Sequence, residues 1–180
     1  MLMETSDTDL VNRANAGDGD AFAALLARHY DRIFGFAFRL TGSHSEAEDL
    51  TQDICAALPN KLRNFQGRAR FSTWLYRVVL NASHDRRRKQ TTQQQASNQW
   101  GDWEKSRTAA IAEDAERIDW LTQAMRALSD DLRDTLALIL DDRTHAQAAE
   151  ILGVSEGTVS WRMSEAKKRL KDMKAQEDHT

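Results

Sequence analysis

The feature that most restricts the fold of this chain is its shortage of residues that interrupt helices. Its 180 residues include one proline, Pro59, and eight glycines. Apolar side chains recur every three or four residues along 21–40, 71–82 and 159–173, which is the spacing of helices with one buried face. The sequence therefore predicts an all-α fold.

Capping and turn residues mark where the helices of the first half begin and end. We expect helices at about 21–40, 45–59 and 71–89, with Ser45 to Glu48 as the capping box of the second one. The polar stretch that follows shows no apolar periodicity, so we expect a flexible linker over 90–117.

The last third of the chain has the signals of two short helices joined by a tight turn. Thr144 to Gln147 form a capping box, Gly153 supplies the turn, and Ser155 caps a longer basic helix. Ser129 is expected to cap the helix before them, which reaches about Leu140. A short helix, a glycine turn and a longer basic helix are typical of a helix-turn-helix.

The charged residues are unevenly distributed, although the formal net charge is only -3. Residues 1–60 carry ten acidic and four basic side chains, whereas 61–89 carry nine basic side chains and one acid. A second basic zone over 162–174 has six basic side chains and two acids. Either zone alone is compatible with an ordinary solvated helix face. Together they favour two contacts with a polyanion such as nucleic acid.

Motifs that indicate an enzyme do not occur in the sequence. There is no glycine-rich phosphate loop with a lysine, no serine nucleophile elbow and no zinc-binding pair of histidines around a glutamate. The five histidines lack ligand spacing, and Cys55 is the single cysteine. We therefore expect a chain that is not an enzyme, with no catalytic residues, no metal site and no cofactor.

Three features bear on the compartment. The apolar runs are far shorter than the ~18 residues that a membrane span requires. The N-terminus is acidic, unlike a secretory signal, and a single cysteine fits a reducing compartment. We expect a cytoplasmic protein that does not insert into a membrane.

Two predicted helix faces are not explained by a buried core. On the last helix the apolar stripe faces inward, and Trp161 faces the opposite way. An outward indole is expected in a DNA groove, or else under the first domain or a dimer partner. On the third helix a basic face carries Asn81 at its centre, with Trp74 at its border. Trp74 is expected either in the core or as a stacking platform for an unpaired base.

Four segments occur together in the order and spacing of one protein family. They are Glu48–Asp53 (EDLTQD), Asn64–Gly67 (NFQG), Phe71–Arg77 (FSTWLYR) followed by Asn81, and Leu152–Val159 (LGVSEGTV). The chain resembles bacterial extracytoplasmic-function sigma factors, which are two-domain transcription initiation factors. The resemblance implies two small helical domains, namely region 2 over 1–89 and the region 4 helix-turn-helix over 118–174. The flexible linker 90–117 would join them, and 175–180 would be a tail.

The resemblance also implies roles for residues of region 2. Asp49, Gln52 and Asp53 would face the β′ clamp of core RNA polymerase. A second set would open the -10 element of promoter DNA, with Asn81 near a flipped base and the cations on backbone phosphates. These residues are Arg63, Asn64, Phe65, Arg68, Arg70, Trp74, Arg77, Asn81, Arg86, Arg87, Arg88 and Lys89.

Region 4 would, by the same resemblance, meet the polymerase β flap and the -35 element. The bases would be faced by Ser160, Trp161, Ser164 and Glu165, and the phosphates by Arg162, Lys167, Lys168 and Arg169. An anti-sigma factor would be a further partner.

Several positions depart from the usual family pattern. Gln147 to Ala149 replace Glu-Ile-Ala, Ser160 replaces a basic residue, and Glu165 replaces an arginine. Ala57 stands where some members carry lysine. The fold tolerates these changes, but the promoter sequences that the chain reads stay open.

Two other functions are compatible with these residues. A sigma-like decoy would bind an anti-sigma factor without initiating transcription, and Ser160 and Glu165 slightly favour it. A helix-turn-helix repressor would explain the C-terminal half but would leave the N-terminal half without a role. The basic face around Asn81 and the basic end of the last helix favour an initiating factor.

Overall fold

A computed structural model describes residues 5–97 and 113–178, and all regular secondary structure in these two ranges is helical. The helices are α1 (Asp7–Asn15), α2 (Gly19–Thr41), α3 (His44–Leu62), α4 (Phe71–Ser97), α5 (Glu113–Arg126), α6 (Asp130–Leu140), α7 (His145–Leu152) and α8 (Glu156–Glu177). Helices α1 to α4 pack on one another, and so do α5 to α8. The expected all-α fold of two helical domains is confirmed.

The N-terminal domain is built around the pair of helices α2 and α3, each of which has one apolar stripe. Phe36 and Ile33 of α2 and Ile54 of α3 are at most 2 % exposed, and Val79 of α4 closes the same core. Burial of large apolar side chains is the main stabilising contribution to such a bundle. The remaining face of α4 is therefore free to carry polar and charged residues.

Helix α3 spans His44–Leu62 instead of the expected 45–59. Its N-cap is Ser43, not Ser45, and Pro59 lies inside its last turn. Proline removes one backbone donor from a helix, but Leu62 beyond it is 1 % exposed, and its burial stabilises that turn. The Leu62 carbonyl also accepts a hydrogen bond of 3.0 Å from the Asn15 side chain of α1.

Helix α4 continues past its expected end at Lys89 to Ser97. The hydroxyls of Thr91 and Thr92 donate to the carbonyls one turn earlier, at 3.0 and 2.9 Å. Residues 90–97 and 113–117, the two ends of the expected linker, are helical. Glutamine and alanine are good helix formers, so a polar segment can stay helical without a buried face. The linker prediction for 98–112 lies outside the described residues.

The C-terminal domain contains the helix-turn-helix with the expected end signals. Thr144 opens α7 with a complete capping box, Gly153 ends it in the left-handed conformation at φ 67°, and Ser155 caps α8. These three predictions are confirmed. Ser129 occupies the N-cap of α6 as expected, although its side chain makes no capping hydrogen bond.

A buried arginine joins α5 to α6. The Arg133 guanidinium donates to the carbonyls of Met125, Arg126 and Leu128 at 3.0, 2.8 and 2.7 Å. The carbonyls of Met125 and Arg126 lie in the last turn of α5, where helix carbonyls lack partners within the helix, and that of Leu128 lies two residues beyond it. Arg133 therefore fixes the turn that leads into α6.

The two domains are in contact. Helix α2 packs on α5 and α6, and α4 packs on α7. Gly42, which ends α2 at φ 68°, lies so close to α5 that an added Cβ would be 2.9 Å from Cγ2 of Thr122. Arg126 of α5 also reaches Glu46 of α3 at 3.2 Å.

Candidate nucleic-acid interface

The polar face of α4 is divided between solvent and the second domain. Asn81, Arg88 and Lys89 are exposed, and Arg88 pairs with Asp85 of the same helix. Arg77 and His84, which the helix spacing places on the same face, are half-buried. The expected face thus exists, but only part of it is accessible in this arrangement of the domains.

The loop before α4 is held by three aromatic rings. Trp74 packs edge-on against Phe65 with ring centroids 5.4 Å apart, and Phe71 lies 5.6 Å from Phe65. Phe71 is buried, whereas Phe65 and Trp74 are half-buried at the border of the core. Edge-to-face pairs of this kind are stabilising. The loop is thereby anchored, and its polar and basic members Arg63, Asn64, Arg68 and Arg70 are all exposed.

The acidic surface of α3 has a cationic partner that sequence reasoning missed. Arg86 of α4 lies 3.2 Å from a carboxylate oxygen of Asp49 and 3.1 Å from one of Asp53. Both acids and Gln52 between them are exposed. Arg86 therefore bridges the surface expected to meet polymerase and the helix expected to meet DNA.

Three basic side chains of α4 contact the second domain. Arg77 donates to the carbonyls of Ile151 and Glu150 at the end of α7, at 3.1 and 2.5 Å. His84 Nε2 lies 2.6 Å from a carboxylate oxygen of Asp134. Arg87 lies 3.3 Å from Asp130 and 3.8 Å from Asp134, both on α6.

These contacts shift the titration of one group. The hydrogen bond to Asp134 raises the pKa of His84 above its ordinary value, and burial opposes this shift only in part. Asp130 acts in the same direction as Asp134, whereas Arg87 opposes it. The protonated imidazole therefore favours contact between the domains.

A further polar contact between the domains involves Asp141, just after the end of α6. Asp141 accepts hydrogen bonds from the Tyr76 hydroxyl and, at 2.7 Å, from Arg39 of α2. Burial and the bond to Asp141 raise the pKa of Tyr76 above its ordinary value, so the hydroxyl keeps its proton. The guanidinium of Arg143 lies 5.7 Å from the centre of the Tyr76 ring.

Helix α8 presents the face expected of a recognition helix. Val159, Met163 and Ala166 are buried on its inner side, and Trp161 on the outer side is 64 % exposed. The first domain therefore does not cover Trp161. Ser160 is exposed and lies 3.0 Å from the imidazole of His145, at the start of α7. Sequence reasoning did not connect His145 with this face.

The charged residues of α8 differ in their exposure and in whether they pair with another charged side chain. Lys167 and Lys168 are exposed, whereas Arg162 is largely buried and lies 3.2 Å from Asp131 of α6. Glu165 accepts a hydrogen bond of 3.0 Å from Arg169, one turn later. The hydroxyl of Ser164 donates to the Ser160 carbonyl at 3.1 Å. The outer face thus combines an indole, hydroxyls and two accessible lysines with an acid held by an arginine.

Comparisons with known proteins agree with this arrangement. The family models Sigma-70 region 2 and Sigma-70, region 4 match residues 25–93 and 118–170. The ECF RNA polymerase sigma factor SigM of Mycobacterium tuberculosis is 33 % identical over 93 % of this chain and 84 % of that protein. The chain belongs to the ECF RNA polymerase sigma factors. SigW of Bacillus subtilis is 28 % identical over 94 % of this sigma factor and 97 % of its own length.

Solved structures show the same fold. The sigma factor RpoE from Bartonella quintana, solved with the anti-sigma factor NepR, aligns at a TM-score of 0.67 with 27 % identity. That alignment covers 84 % of this sigma factor and 94 % of that chain. CnrH, solved with the cytosolic domain of CnrY, gives a TM-score of 0.66 at 22 % identity over 94 % and 97 % of the two chains.

Two further observations concern the described parts of the sigma factor, residues 5–97 and 113–178. They contain no group of three or more histidine, cysteine, aspartate or glutamate side chains that could hold a metal ion. No helix within the same ranges has the length and apolar character that a bilayer crossing demands.

Proposed function

We propose that this sigma factor binds core RNA polymerase through its N-terminal domain and directs it to promoters with -10 and -35 elements. The observation that carries the proposal is the joint presence of both DNA-facing surfaces, α4 and α8, in the order of regions 2 and 4. The protein acts by binding and carries out no reaction of its own. It works in the cytoplasm, where its polymerase and promoter partners are.

The domains divide this work. Residues 1–89 form region 2, 118–174 form region 4, 90–117 connect them, and 175–180 form a tail. The structure adds that α4 extends the first domain to Ser97.

The polymerase surface comprises Asp49, Gln52 and Asp53 on α3, which face the β′ clamp. All three are exposed on one side of the helix, so they can contact a basic partner without a change of fold. Region 4 meets the β flap. If a cation of the clamp displaced the Arg86 side chain, the carboxylates of Asp49 and Asp53 would both stay paired. Binding would then leave neither carboxylate without a cationic partner.

The -10 surface comprises the loop 63–70 and the polar face of α4. Asn81 offers an amide edge to a base that leaves the duplex, and the exposed cations around it hold the phosphates. The half-buried Trp74 has an accessible edge beside this loop, although its contacts with Phe65 and Phe71 make it chiefly a support. The cost of unstacking a base, a few kcal/mol, is offset by these contacts.

The -35 surface is the outer side of α8. Trp161, Ser160, Ser164 and Glu165 face the bases, and Lys167 and Lys168 are the cations best placed for phosphates because both are exposed. Arg162 and Arg169 can join them only by leaving the acids with which they pair.

An anti-sigma factor is a further proposed partner. RpoE from Bartonella quintana, at 27 % identity, was solved with its anti-sigma factor, and its alignment spans both domains of this chain. A decoy function would use the same partner. The decoy and the initiating factor differ in whether transcription starts.

Reconstitution with core polymerase tests the proposal. We expect the chain to co-purify with core enzyme and to start transcription from promoters selected out of random DNA. Gln52→Ala should weaken core binding, whereas Asp31→Arg, at an exposed acid of α2, should leave it unchanged. Core binding without transcription would support the decoy. Tight, sequence-specific DNA binding by the isolated chain, with no affinity for core, would support the repressor.

Promoter opening tests the role of Asn81 separately. Asn81→Ala should slow opening more than it weakens the closed complex, because only an unpaired strand can place a base against the amide. Permanganate reactivity of the -10 thymines measures opening, and Asn60→Ala at an exposed amide of α3 is the control. Normal opening by Asn81→Ala would refute the base-binding role.

A further inference from the structure

The start of α7 adds one side chain to the outer face of α8. His145 is the first residue of α7, and its imidazole Nδ1 lies 3.0 Å from Oγ of Ser160. Both side chains are exposed, and Ser160 is the neighbour of the exposed Trp161. Nε2 of the imidazole makes no hydrogen bond within residues 5–97 and 113–178. The two side chains therefore form a polar pair at the edge of the proposed -35 surface.

The hydrogen bond of this pair can run in either direction. Nδ1 accepts when the imidazole is neutral with its proton on Nε2, and it donates when it carries a proton, as in the imidazolium ion. In the first case the Ser160 hydroxyl gives its only proton to the imidazole, so its oxygen can only accept from a base. In the second case the oxygen accepts from the imidazole, and the hydroxyl proton is free for a base. A serine without such a partner can do either.

We propose that His145 is a positioning residue of the -35 surface, which sets base preference by fixing the direction of the Ser160 hydrogen bond. The inference rests on the proposed function of the outer face of α8. With a neutral imidazole, Ser160 accepts from an amino group and selects cytosine or adenine. With an imidazolium, Ser160 donates and selects guanine or thymine. Base preference at one -35 position therefore follows the protonation of His145.

The surroundings of His145 leave both forms accessible. Charged side chains of the neighbouring segments are Asp142 and Arg143 before α7, Glu150 within it, Arg70 and Arg77 on α4, Asp131 on α6, and Glu156 and Arg162 on α8. None of them forms an ion pair with His145 in the described part of the chain. Histidine is the side chain whose charge usually changes between pH 5 and 8. An exposed imidazole without a carboxylate partner can therefore be titrated in the assay.

Selection of promoter sequences at two pH values tests the proposal. Holoenzyme reconstituted with core polymerase selects DNA with a fixed -10 element and a randomised -35 element, at about pH 6 and about pH 8. Ser160→Ala removes the hydroxyl, and His145→Gln replaces the imidazole by a polar group that does not titrate. The matched control is His44→Gln, because His44 is also exposed and is also the first residue of its helix, α3.

We expect wild type and His44→Gln to change preference at one -35 position. Cytosine or adenine should be favoured at the higher pH and guanine or thymine at the lower, each by about fivefold, as for one hydrogen bond. His145→Gln should show the same preference at both pH values, and Ser160→Ala should lose discrimination at that position. A wild-type preference that does not depend on pH, or the same dependence in His145→Gln, would overturn the role of His145.

The variants also separate failure of this inference from failure of the proposed function. If Ser160→Ala and Trp161→Ala both leave every -35 preference and the promoter affinity unchanged, the outer face of α8 does not read the -35 element, and the proposed function of that face fails. If Ser160→Ala alters one position but wild type responds to no change of pH, only the role of His145 fails. Circular dichroism checks the fold of each variant. If His145→Gln did not fold, the comparison of wild type at the two pH values would still decide the question.

Discussion

The substitution of Gly42 by alanine should separate the two domains by steric pressure alone. The new Cβ would meet Cγ2 and the backbone carbonyl of Thr122 at 2.9 and 3.1 Å, and Cδ of Arg126 at 3.0 Å. The arginine side chain can move aside, but the carbonyl is part of α5. The close approach of the new Cβ to the Thr122 carbonyl is therefore relieved by a shift of α5 away from α2.

A second glycine provides the matched control. Gly153 ends α7 at φ 67°, almost the same conformation as Gly42 at φ 68°, but an added Cβ there meets no atom within 4 Å. Alanine in this conformation costs about 1 to 2 kcal/mol at either position. Only the change at Gly42 adds a collision, for which overpacking gives about 1 to 3 kcal/mol. A difference of about 2 kcal/mol multiplies the ratio of chains with separated domains to chains with domains in contact by roughly 30.

Small-angle X-ray scattering measures this ratio. A compact chain of this length has a radius of gyration of about 16 Å, and separation of two linked domains increases it. Gly42→Ala should expand the chain, whereas Gly153→Ala should lower the melting temperature without expansion. Equal radii for the two variants, with each still folded, would refute the assignment of Gly42 to the domain contact.

Three further outcomes follow from the contacts described above. Arg133→Lys keeps the charge but cannot donate to all three carbonyls between Met125 and Leu128. It should lower the free energy of unfolding by about 2 to 4 kcal/mol, measured by denaturant unfolding followed by circular dichroism. An unchanged unfolding midpoint would contradict this. Because the pKa of His84 is raised, the contact between the two domains is fully stabilised below the ordinary pKa of histidine. It weakens as the pH rises through the raised pKa. The radius of gyration should therefore increase with pH in wild type and not in His84→Gln, and the same slope in both would exclude the imidazole. Trp161→Ala should lower activity at all cognate promoters with little effect on melting, and Glu165→Gln should change which -35 sequences are preferred in a selection; uniformly tighter binding would show that the acid only repels DNA.

Local signals predicted the C-terminal domain better than the N-terminal one. Thr144, Gly153 and Ser155 act on backbone groups within four residues, so their sequence neighbours are sufficient evidence. The end of α3 depends on burial of Leu62 and on a hydrogen bond from Asn15, which is 47 positions away. Helix α1 is short and was not predicted, because two buried residues, Leu10 and Val11, show no period.

The candidate site shows the same division between local and distant causes. The amphipathic spacing of α4 correctly placed Asn81 and Arg88 on a polar face, since helical geometry alone decides it. The partners of Arg86 and Arg87 could not be predicted, because they lie on α3 and α6 and no pattern within α4 indicates them. The positions of the DNA- and polymerase-binding residues stay predictions until the variants are measured.

Arg86 has a thermodynamic consequence for the assembly of the initiation complex. Its guanidinium pairs with Asp49 and Asp53 while it lies on the helix that we propose faces the promoter. If a cation of the polymerase clamp paired with these acids, Arg86 would be released for a phosphate, and a phosphate that bound Arg86 would leave the acids free for the clamp. Linkage requires the two effects to be equal in free energy. Polymerase and promoter would then strengthen each other's binding to the sigma factor through one side chain, with no change in the backbone.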